Sequence, residues 1–184
     1  NKKIEFVYNP EFLREKTSES DFINGKLILF GGRKDLTLKV SEFYKTFTLC
    51  KQKKHFFTDL LGASLVKYSI NSFLATKVIF FNQLKSVFEA SGTKLDWDRF
   101  IEILSSDMRI GDSHMNVPGH DGRKGFGGAC FPKDIAALIT FSSKVNVDLS
   151  LIEEVIKINN QIRSVYNEPM AREIEQNISF KEEE

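Results

Sequence analysis

The longest run with helical character in this chain is TDLLGASLVKYSINSFLATKVIFFNQLKSVFEA, residues 58–90. Thr58 or Asp59 can cap its start, and Ser91 with Gly92 provides a stop. A helix of about thirty residues is long for a globular protein. Because its apolar residues lie on more than one face, we expect it to be buried from several sides. Packing by its own domain and by a second subunit would achieve this, so the sequence predicts a homodimer built on this helix.

The residues before this helix alternate between strand and helix patterns. Residues 4–8, 26–30 and 46–49 are predicted strands, and residues 37–45 are a predicted short helix. Alternation of this kind is typical of βα units in a parallel sheet. Three strands are too few for a stable open sheet, so we interpret this region as the end of a larger domain.

The residues after the long helix are predicted to be helical, with one long loop. A short helix is expected from Asp96 to about residue 105, followed by a loop over residues 108–128 that holds six glycines and one proline. A further helix is predicted to start at Pro132 and to run to about residue 143.

The last clear helix is predicted to open at Ser150, with Glu153 completing a capping box. Asn159 falls within the apolar stripe of this helix, where we expect it to make a buried hydrogen bond. The residues after Pro169 are polar, and the chain ends in a lysine and three glutamates, so this end is predicted to be frayed.

Composition excludes several classes of function. The chain is 41% hydrophobic and 28% charged with a formal net charge of +1, which does not favour a nucleic-acid or membrane partner. Lysines interrupt the longest apolar stretch, so no transmembrane segment is predicted. The two cysteines, Cys50 and Cys130, suit a reducing cytoplasm. These thiols and the three scattered histidines lack metal-ligand spacing, so no metal site is predicted.

The strongest chemical signal is GFGGACFPKD, residues 125–134. If Pro132 is the first helical residue, Cys130 lies just before a helix, where the dipole and free N–H groups favour the nucleophilic thiolate. Lys133 adds positive charge, and Asp134 lies about one turn further along. The alternative is a buried, inert cysteine beside a glycine turn.

Two other segments place polar groups in unusual positions. Lys67 and Asn71 are four residues apart among apolar neighbours of the long helix, so they share one face. The alternative is a snorkelling lysine and a capping or helix-kinking asparagine. In NPEFLRE, residues 9–15, the carboxylates of Glu11 and Glu15 directly follow a predicted strand end, where α/β sheets bind ligands. Here the alternative is an exposed, solvated helix start.

Four segments together carry a family resemblance. In chain order they are NPEFLRE (residues 9–15), LVKYSINSFLATK (65–77), DMRIG (107–111) and GGACFPKD (127–134). In order and spacing they resemble the UDP-glucose and GDP-mannose dehydrogenases. The resemblance extends from about Ile4 to Arg163, which is nearly the whole chain.

The resemblance implies a mainly α fold. Residues 51–166 are expected to form a central helical dimerisation and catalytic domain with the long core helix. Residues 1–50 would be the last β-strands of a truncated Rossmann-type NAD-binding domain, and residues 167–184 a linker or frayed tail. No Gly-x-Gly-x-x-Gly fingerprint follows a predicted strand. We expect that fingerprint to precede Asn1 and a further nucleotide-holding domain to follow the chain.

The activity that the resemblance implies is a two-step oxidation of a sugar C6 alcohol to a carboxylate with two NAD. Cys130 would form a thiohemiacetal with the aldehyde-level carbon, and this would become a thioester that water hydrolyses. The expected substrate is UDP-glucose, giving UDP-glucuronate, and GDP-mannose is the alternative. A cytoplasmic homodimer is expected, as in polysaccharide-precursor enzymes.

The resemblance also assigns roles to individual residues. Lys67 would stabilise the developing oxyanion and Asn71 would help to place it. Glu11 would be the acid/base for thioester hydrolysis, and Asp134 would orient water and Lys67. The residues expected to bind substrate are Phe12, Leu13, Arg14, Arg109, Phe126 and Gly127, with Arg109 reaching across the dimer interface. Those expected to bind the cofactor are Glu15 and Lys133.

Three departures from the family pattern bear on the substrate. Lys16 stands where the family usually has glycine, Ser64 replaces a common glutamate, and residues 118–124 are an insertion in a loop that borders the sugar nucleotide in relatives. Two other classes of function remain open. One is a cysteine hydrolase or acyltransferase that pairs Cys130 with His55, His114 or His120, and the other is a non-catalytic dimerisation module.

Overall fold

The computed structural model describes residues 4–50 and 54–181. Its two strands and seven α-helices in this part of the chain are, in order, α1 (Ser18–Asn24), β1 (Leu27–Gly31), α2 (Lys34–Phe47), β2 (Lys54–Thr58), α3 (Leu60–Ala90), α4 (Trp97–Ser105), α5 (Cys130–Lys144), α6 (Ser150–Arg163) and α7 (Ala171–Glu175). A short 3-10 helix precedes α1. The chain divides into two compact units, with the division between Ser69 and Ile70 in α3. The domain borders at 50/51 and 166/167 stay predictions.

The first unit contains a β-α-β arrangement. Strands β1 and β2 pair in parallel, with Leu27 opposite Lys54 and Gly31 opposite Thr58. Helix α2 connects them, because parallel neighbours need a crossover rather than a tight turn. Phe30 is fully buried in the small core between sheet and helix, with Tyr44 of α2 packed edge-on against its ring. The predicted parallel pairing is confirmed.

Two of the three predicted strands are wrong. Residues 4–8 form no strand, and only Tyr8 pairs, through an isolated antiparallel bridge to Gly31. Residues 46–49 are not a strand either, since α2 continues to Phe47. Strand β2 lies later, directly after residues 51–53. Its aromatic residues, Phe56 and Phe57, follow several lysines, so the sequence pattern did not indicate a strand there. Tertiary pairing with β1, rather than local propensity, makes this segment a strand.

Helix α3 follows the prediction closely. It runs for 31 residues, and the Asp59 carboxylate accepts a hydrogen bond from Gly62 N–H at 2.6 Å, as expected of a capping residue. At its other end Gly92 has φ +69°, a left-handed conformation that glycine adopts without strain. The mainly helical fold with one long helix, preceded by parallel strands, is confirmed.

The second unit has two apolar clusters. One joins the middle of α3 to α5 and α6, through Ala75, Ile79, Phe126, Ile135 and Val155. The other joins the end of α3 to α4 and the following loop, through Phe81, Trp97, Met115 and Val117. The predicted short helix is present as α4, and it begins after Asp96, whose side chain accepts hydrogen bonds from two N–H groups. The loop that leads to α5 is therefore held against α3 on one side.

The starts of α5 and α6 differ from the prediction. Helix α5 begins at Cys130, so Pro132 is its third residue, which is tolerated because the first helical N–H groups have no partner within the helix. Cys130 is therefore the first helical residue and does not precede the helix. Ser150 is the first residue of α6 and caps nothing, so the predicted capping box with Glu153 is wrong.

The C-terminal segment is more ordered than predicted. Residues 171–175 form α7, and Glu173 is only 1% exposed. The segment before residue 182 is therefore not frayed throughout, because a buried carboxylate holds it in place. The last three residues of the prediction lie outside the described part of the chain. Among the residues that the structure describes, no helix is both long and apolar enough to cross a membrane.

Candidate functional site

Cys130 is exposed at the N-terminal end of α5. The residue before it, Ala129, provides no side-chain cap to the helix. The other cysteine, Cys50, is fully buried, and its thiol donates to the Phe22 carbonyl oxygen at 3.0 Å. Only Cys130 of the two is therefore presented to solvent at a helix start.

The glycine loop before Cys130 is held by three side chains from elsewhere in the unit. Gly125 N–H donates to Asn82 Oδ1 at 3.0 Å, and Gly128 N–H donates to a carboxylate oxygen of Glu173 at 3.1 Å. Between them, Asn159 binds both backbone groups of Phe126, with N···O distances of 2.7 and 3.0 Å. The buried hydrogen bond expected of Asn159 is confirmed.

Asn71 and Asp134 meet in the interior of the second unit. Asn71 Nδ2 donates to Asp134 Oδ2 at 2.5 Å, and Lys133 Nζ lies 2.6 Å from Asp134 Oδ1. Asn71 is 6% exposed and Asp134 1%. Because Asp134 lies one helical turn after Cys130 in α5, this pair stands close to the thiol along the helix. The resemblance assigns Asn71 and Asp134 to one site, and the structure brings these two residues together.

Lys67 lies in the first unit and contacts the NPEFLRE segment. Its Nζ donates to the backbone carbonyl of Glu11 at 2.6 Å and lies 5.6 Å from the centre of the Phe12 ring. The carboxylate of Glu11 belongs to an exposed residue. The structure thus brings Lys67 to the predicted segment, through the main chain of Glu11. The resemblance assigns Lys67, Glu11 and Cys130 to one site, and that assignment stays a prediction.

The same segment borders a cleft of about 340 Å³ in the first unit. Its lining includes Glu11, Phe12, Leu13 and Asp21. Arg14 forms a two-pronged hydrogen bond with Asp21, at 2.7 and 3.0 Å, which holds the pKa of that carboxyl well below its usual range. Glu15 begins the 3-10 helix, and its side chain lies outside what the structure describes.

Arg109, predicted to reach a second subunit, points outward. Its side chain is 89% exposed and is held by Asp107, with the closest N···O distance at 2.6 Å. Lys77 of α3 supports the same turn by donating to the carbonyl of Ile110 at 2.9 Å. Burial lowers the pKa of Lys77.

Phe126 and Gly127 occupy a crowded position. The Phe126 side chain is 5% exposed and packs edge-on against Phe131. A Cβ built on Gly127 would collide with the Arg163 guanidinium and the Glu173 carboxylate. The predicted role of both residues in substrate binding stays a prediction.

Sequence reasoning missed the ion-pair cluster around Arg163. This side chain is 2% exposed, with Nη1 2.7 Å from Asp121 and Nη2 2.7 Å from Glu173. Burial opposes ionisation of Asp121, but the hydrogen bonds from Arg163 and from Arg123 N–H, together with the nearby positive charge, lower the pKa of that carboxyl. A basic residue four positions after Asn159 in a buried stripe was the available signal.

For two histidines of the hydrolase alternative the structure describes a neighbouring side chain, and a pairing of Cys130 with a histidine stays a prediction. His55 Nδ1 lies 2.6 Å from Ser41 Oγ in the first unit, and the His114 ring packs at 5.7 Å from the Phe131 ring. Burial lowers the pKa of His55. Among the described residues, no group of three or more histidines, cysteines and carboxylates is arranged to hold a metal ion.

Comparison with known proteins identifies the family. Residues 62–161 match the model of the central domain of the UDP-glucose/GDP-mannose dehydrogenase family. The chain belongs to this family. The matched range covers α3 to α6 and includes Lys67, Asn71, Cys130 and Asp134.

Individual relatives agree with this placement. UDP-glucose 6-dehydrogenase YwqF of Bacillus subtilis is 34% identical over 158 residues, 85% of this chain and 33% of its own length. UDP-glucose 6-dehydrogenase of Rickettsia conorii is 36% identical over 156 residues, with 83% and 33% coverage. The solved UDP-glucose dehydrogenase of Pyrobaculum islandicum is 30% identical with a TM-score of 0.70, covering 84% of this chain and 34% of that one. The chain thus spans about a third of the length of these family members.

Proposed function

We propose that this chain is the central, cysteine-bearing portion of an NAD-dependent UDP-glucose 6-dehydrogenase, which oxidises the sugar C6 alcohol to a carboxylate. The observation that carries the proposal is the Asn71–Asp134 hydrogen bond, 2.5 Å long, one helical turn from an exposed cysteine at a helix start. The relatives named as UDP-glucose 6-dehydrogenases support the choice of sugar nucleotide. GDP-mannose is the alternative within the family.

Cys130 is the proposed nucleophile. Its thiolate sulfur bonds to the aldehyde carbon of the half-oxidised sugar, and the carbonyl π electrons move to the oxygen, giving the oxyanion of a thiohemiacetal. The nicotinamide cofactor supplies the hydride acceptor for the oxidations. After oxidation, water adds to the thioester carbon, the carbon–sulfur bond breaks, and the carboxylate product leaves Cys130 as a thiol.

Lys67 and Asn71 are the proposed stabilisers of the oxygen that becomes negative when the sulfur adds. An ammonium and an amide N–H are donors suited to such an oxyanion. Asn71 is fixed for this by Asp134, which accepts one of its amide protons and leaves the other available. Asp134 in turn accepts from Lys133 Nζ through its other oxygen, so each carboxylate oxygen has a donor.

Glu11 is the proposed acid/base for thioester hydrolysis. Lys67 donates to the backbone oxygen of Glu11 and not to its carboxylate in this hydrogen bond. Glu11 is also an exposed residue, so its side chain can be reached from solvent. We propose substrate contacts for Phe12, Leu13, Arg14, Arg109, Phe126 and Gly127, and cofactor contacts for Glu15 and Lys133.

The described residues do not themselves form a dinucleotide site. Strand β1 leads into α2 through Gly31, Gly32 and Arg33, which lacks the three-glycine pattern that cradles a pyrophosphate. A Cβ on Gly31 would collide with Ala63, so this glycine serves packing against α3. We therefore derive no role for this turn in cofactor binding, and we expect the isolated chain not to oxidise UDP-glucose.

A homodimer is proposed through α3. Phe73, Phe80 and Val87 are 66%, 57% and 64% exposed, and they recur every seven residues along the helix. Residues at that spacing form a stripe suited to packing against another helix. The outward position of Arg109 agrees with a residue that serves a second subunit.

The test is a chimera in which this chain replaces its matched third of Bacillus subtilis YwqF. With NAD, a folded chimera is expected to oxidise UDP-glucose, followed as NADH formation, and the Cys130→Ser chimera is expected not to. Oxidation of GDP-mannose instead would refute the proposed sugar. A folded chimera that oxidises neither sugar nucleotide would refute the function.

A further inference from the structure

Glu173 is a buried residue, and both of its carboxylate oxygens accept hydrogen bonds. One oxygen accepts from Gly128 N–H at 3.1 Å and from Arg163 Nη2 at 2.7 Å, and the other accepts from Met170 N–H at 2.7 Å. A carboxylate that is 1% exposed is costly unless it is paired in this way. Its orientation is therefore fixed rather than averaged over rotamers.

Arg163 is fixed in the same manner. Its second nitrogen binds Asp121 at 2.7 Å, and its guanidinium carbon lies 5.7 Å from the Tyr166 ring centre and 5.3 Å from that of Phe180. Flat contacts of this kind suit a guanidinium. The ion pair with Glu173 is thus held from several directions.

The contact with Gly128 matters because of where that residue lies. Gly128 is two residues before Cys130 and has φ +71°, and glycine has wide backbone freedom unless something restrains it. Helix α5 has no side-chain cap of its own, since Ala129 offers none. Instead, Glu173, 45 residues further along the chain, restrains the backbone just before α5 by accepting a hydrogen bond from Gly128 N–H.

We propose that Glu173 is a positioning residue for Cys130, which it orients by holding the Gly128 amide while Arg163 holds Glu173. The inference rests on the proposed function in one respect, the use of Cys130 as nucleophile. It gives the segment after α6 a role at the site, because one of the three side chains that hold the cysteine loop comes from α7.

Two substitutions separate positioning from ion pairing. Glu173→Asp keeps the charge for Arg163 but shortens the side chain, so it cannot reach both Gly128 and Met170. Glu173→Gln keeps the length and one carbonyl oxygen that can accept from Gly128 and Arg163, but it removes the charge and turns an N–H₂ donor toward Met170 N–H. Exposed Glu175 on the same helix provides the matched controls, Glu175→Asp and Glu175→Gln.

The readouts are Gly128 amide hydrogen exchange by NMR and Cys130 alkylation against pH by peptide mass spectrometry, neither of which requires turnover. We expect Glu173→Asp to accelerate Gly128 exchange about tenfold, as the loss of one hydrogen bond would, and to change the alkylation profile. Both controls should keep the wild-type profile, and Glu173→Gln, which retains an acceptor for Gly128, should change the two readouts less than Glu173→Asp does. The proposal is overturned if Glu173→Asp leaves both readouts unchanged, or if Glu173→Gln changes them as much.

The wild-type chain provides a check that does not depend on a folded variant. Gly128 N–H should be protected from exchange to a similar degree as Phe126 N–H, which Asn159 binds. A Gly128 amide that exchanges at the rate of an unstructured peptide would overturn the proposal without any substitution. Because neither readout requires activity, failure of the chimera would refute the proposed function and leave the positioning result standing.

Discussion

Asn71 and Asp134 are 63 residues apart in sequence, yet the amide nitrogen of one lies 2.5 Å from a carboxylate oxygen of the other. Both side chains are buried. The hydrogen bond links the long helix to the helix that carries Cys130. If Asn71 is removed, Asp134 loses a buried hydrogen-bond donor. The free-energy cost of that loss exceeds the net contribution of the hydrogen bond to stability.

Replacing Asn71 tests this link. We expect Asn71→Ala to lower the free energy of unfolding by about 1–3 kcal/mol, because Asp134 loses a buried donor. Urea unfolding followed by circular dichroism measures the change. Exposed Asn167→Ala is the control and should stay within about 0.5 kcal/mol of wild type. Equal effects of the two substitutions would contradict the structural role given to Asn71.

The two cysteines should differ in reactivity. Cys130 is exposed, whereas Cys50 is fully buried and hydrogen-bonded to Phe22, so reagent reaches Cys50 only when the fold opens locally. We expect iodoacetamide to modify Cys130 at least about tenfold faster under native conditions. A time course of the two cysteine peptides by mass spectrometry gives both rates, and the Cys130→Ser chain shows Cys50 alone. Similar rates for the two peptides would argue against this assignment.

The exposed stripe on α3 should mediate self-association. In sedimentation at micromolar concentration we expect twice the chain mass, and we expect Phe80→Asp to give the monomer because it places a charge in the apolar stripe. Leu151→Asp, on an equally exposed residue of α6, is the matched control and should remain dimeric. A clean wild-type monomer would count against the proposed interface.

Acid should weaken the fold through His55. Burial lowers its pKa in the folded chain, with a smaller contribution from Lys45, so the unfolded chain binds the proton more readily. The contribution to stability is complete above the unfolded value of 6.5 and is lost as pH falls through it toward the lower folded value. The free energy of unfolding should fall from about pH 7 to about pH 5, and less so in His55→Asn. Equal slopes in both chains would rule out this residue as the cause.

Sequence patterns predicted well where local chemistry determines the structure. Helix α3 could be delimited because Asp59 and Gly92 are a capping residue and a helix stop in their own right. The proximity of Asn71 and Asp134 was expected because the family resemblance assigns both residues to one site. The match of residues 62–161 to the family agrees with the motifs that suggested it.

Patterns failed where distant residues determine the structure. Strand β2 exists because β1 offers it a partner, and its lysine-rich start resembles a loop. Ser150 and Glu153 fit a capping box, but the helix begins one residue too early for that box to form. Glu173 sits in a polar segment with no periodicity, and only its ion pair with Arg163 shows that it is buried.

Gly127 has a consequence for how this sequence can change over time. A side chain at that position would overlap the Arg163 and Glu173 head groups, so the three positions constrain one another. A lineage that replaced the glycine would have to displace or shorten one of these two charged side chains, and either change would loosen the hold on the cysteine loop. Substitution of Gly127 would therefore pass through a chain in which the cysteine loop is less firmly held. The ion pair of Arg163 with Glu173 thus makes this glycine hard to replace.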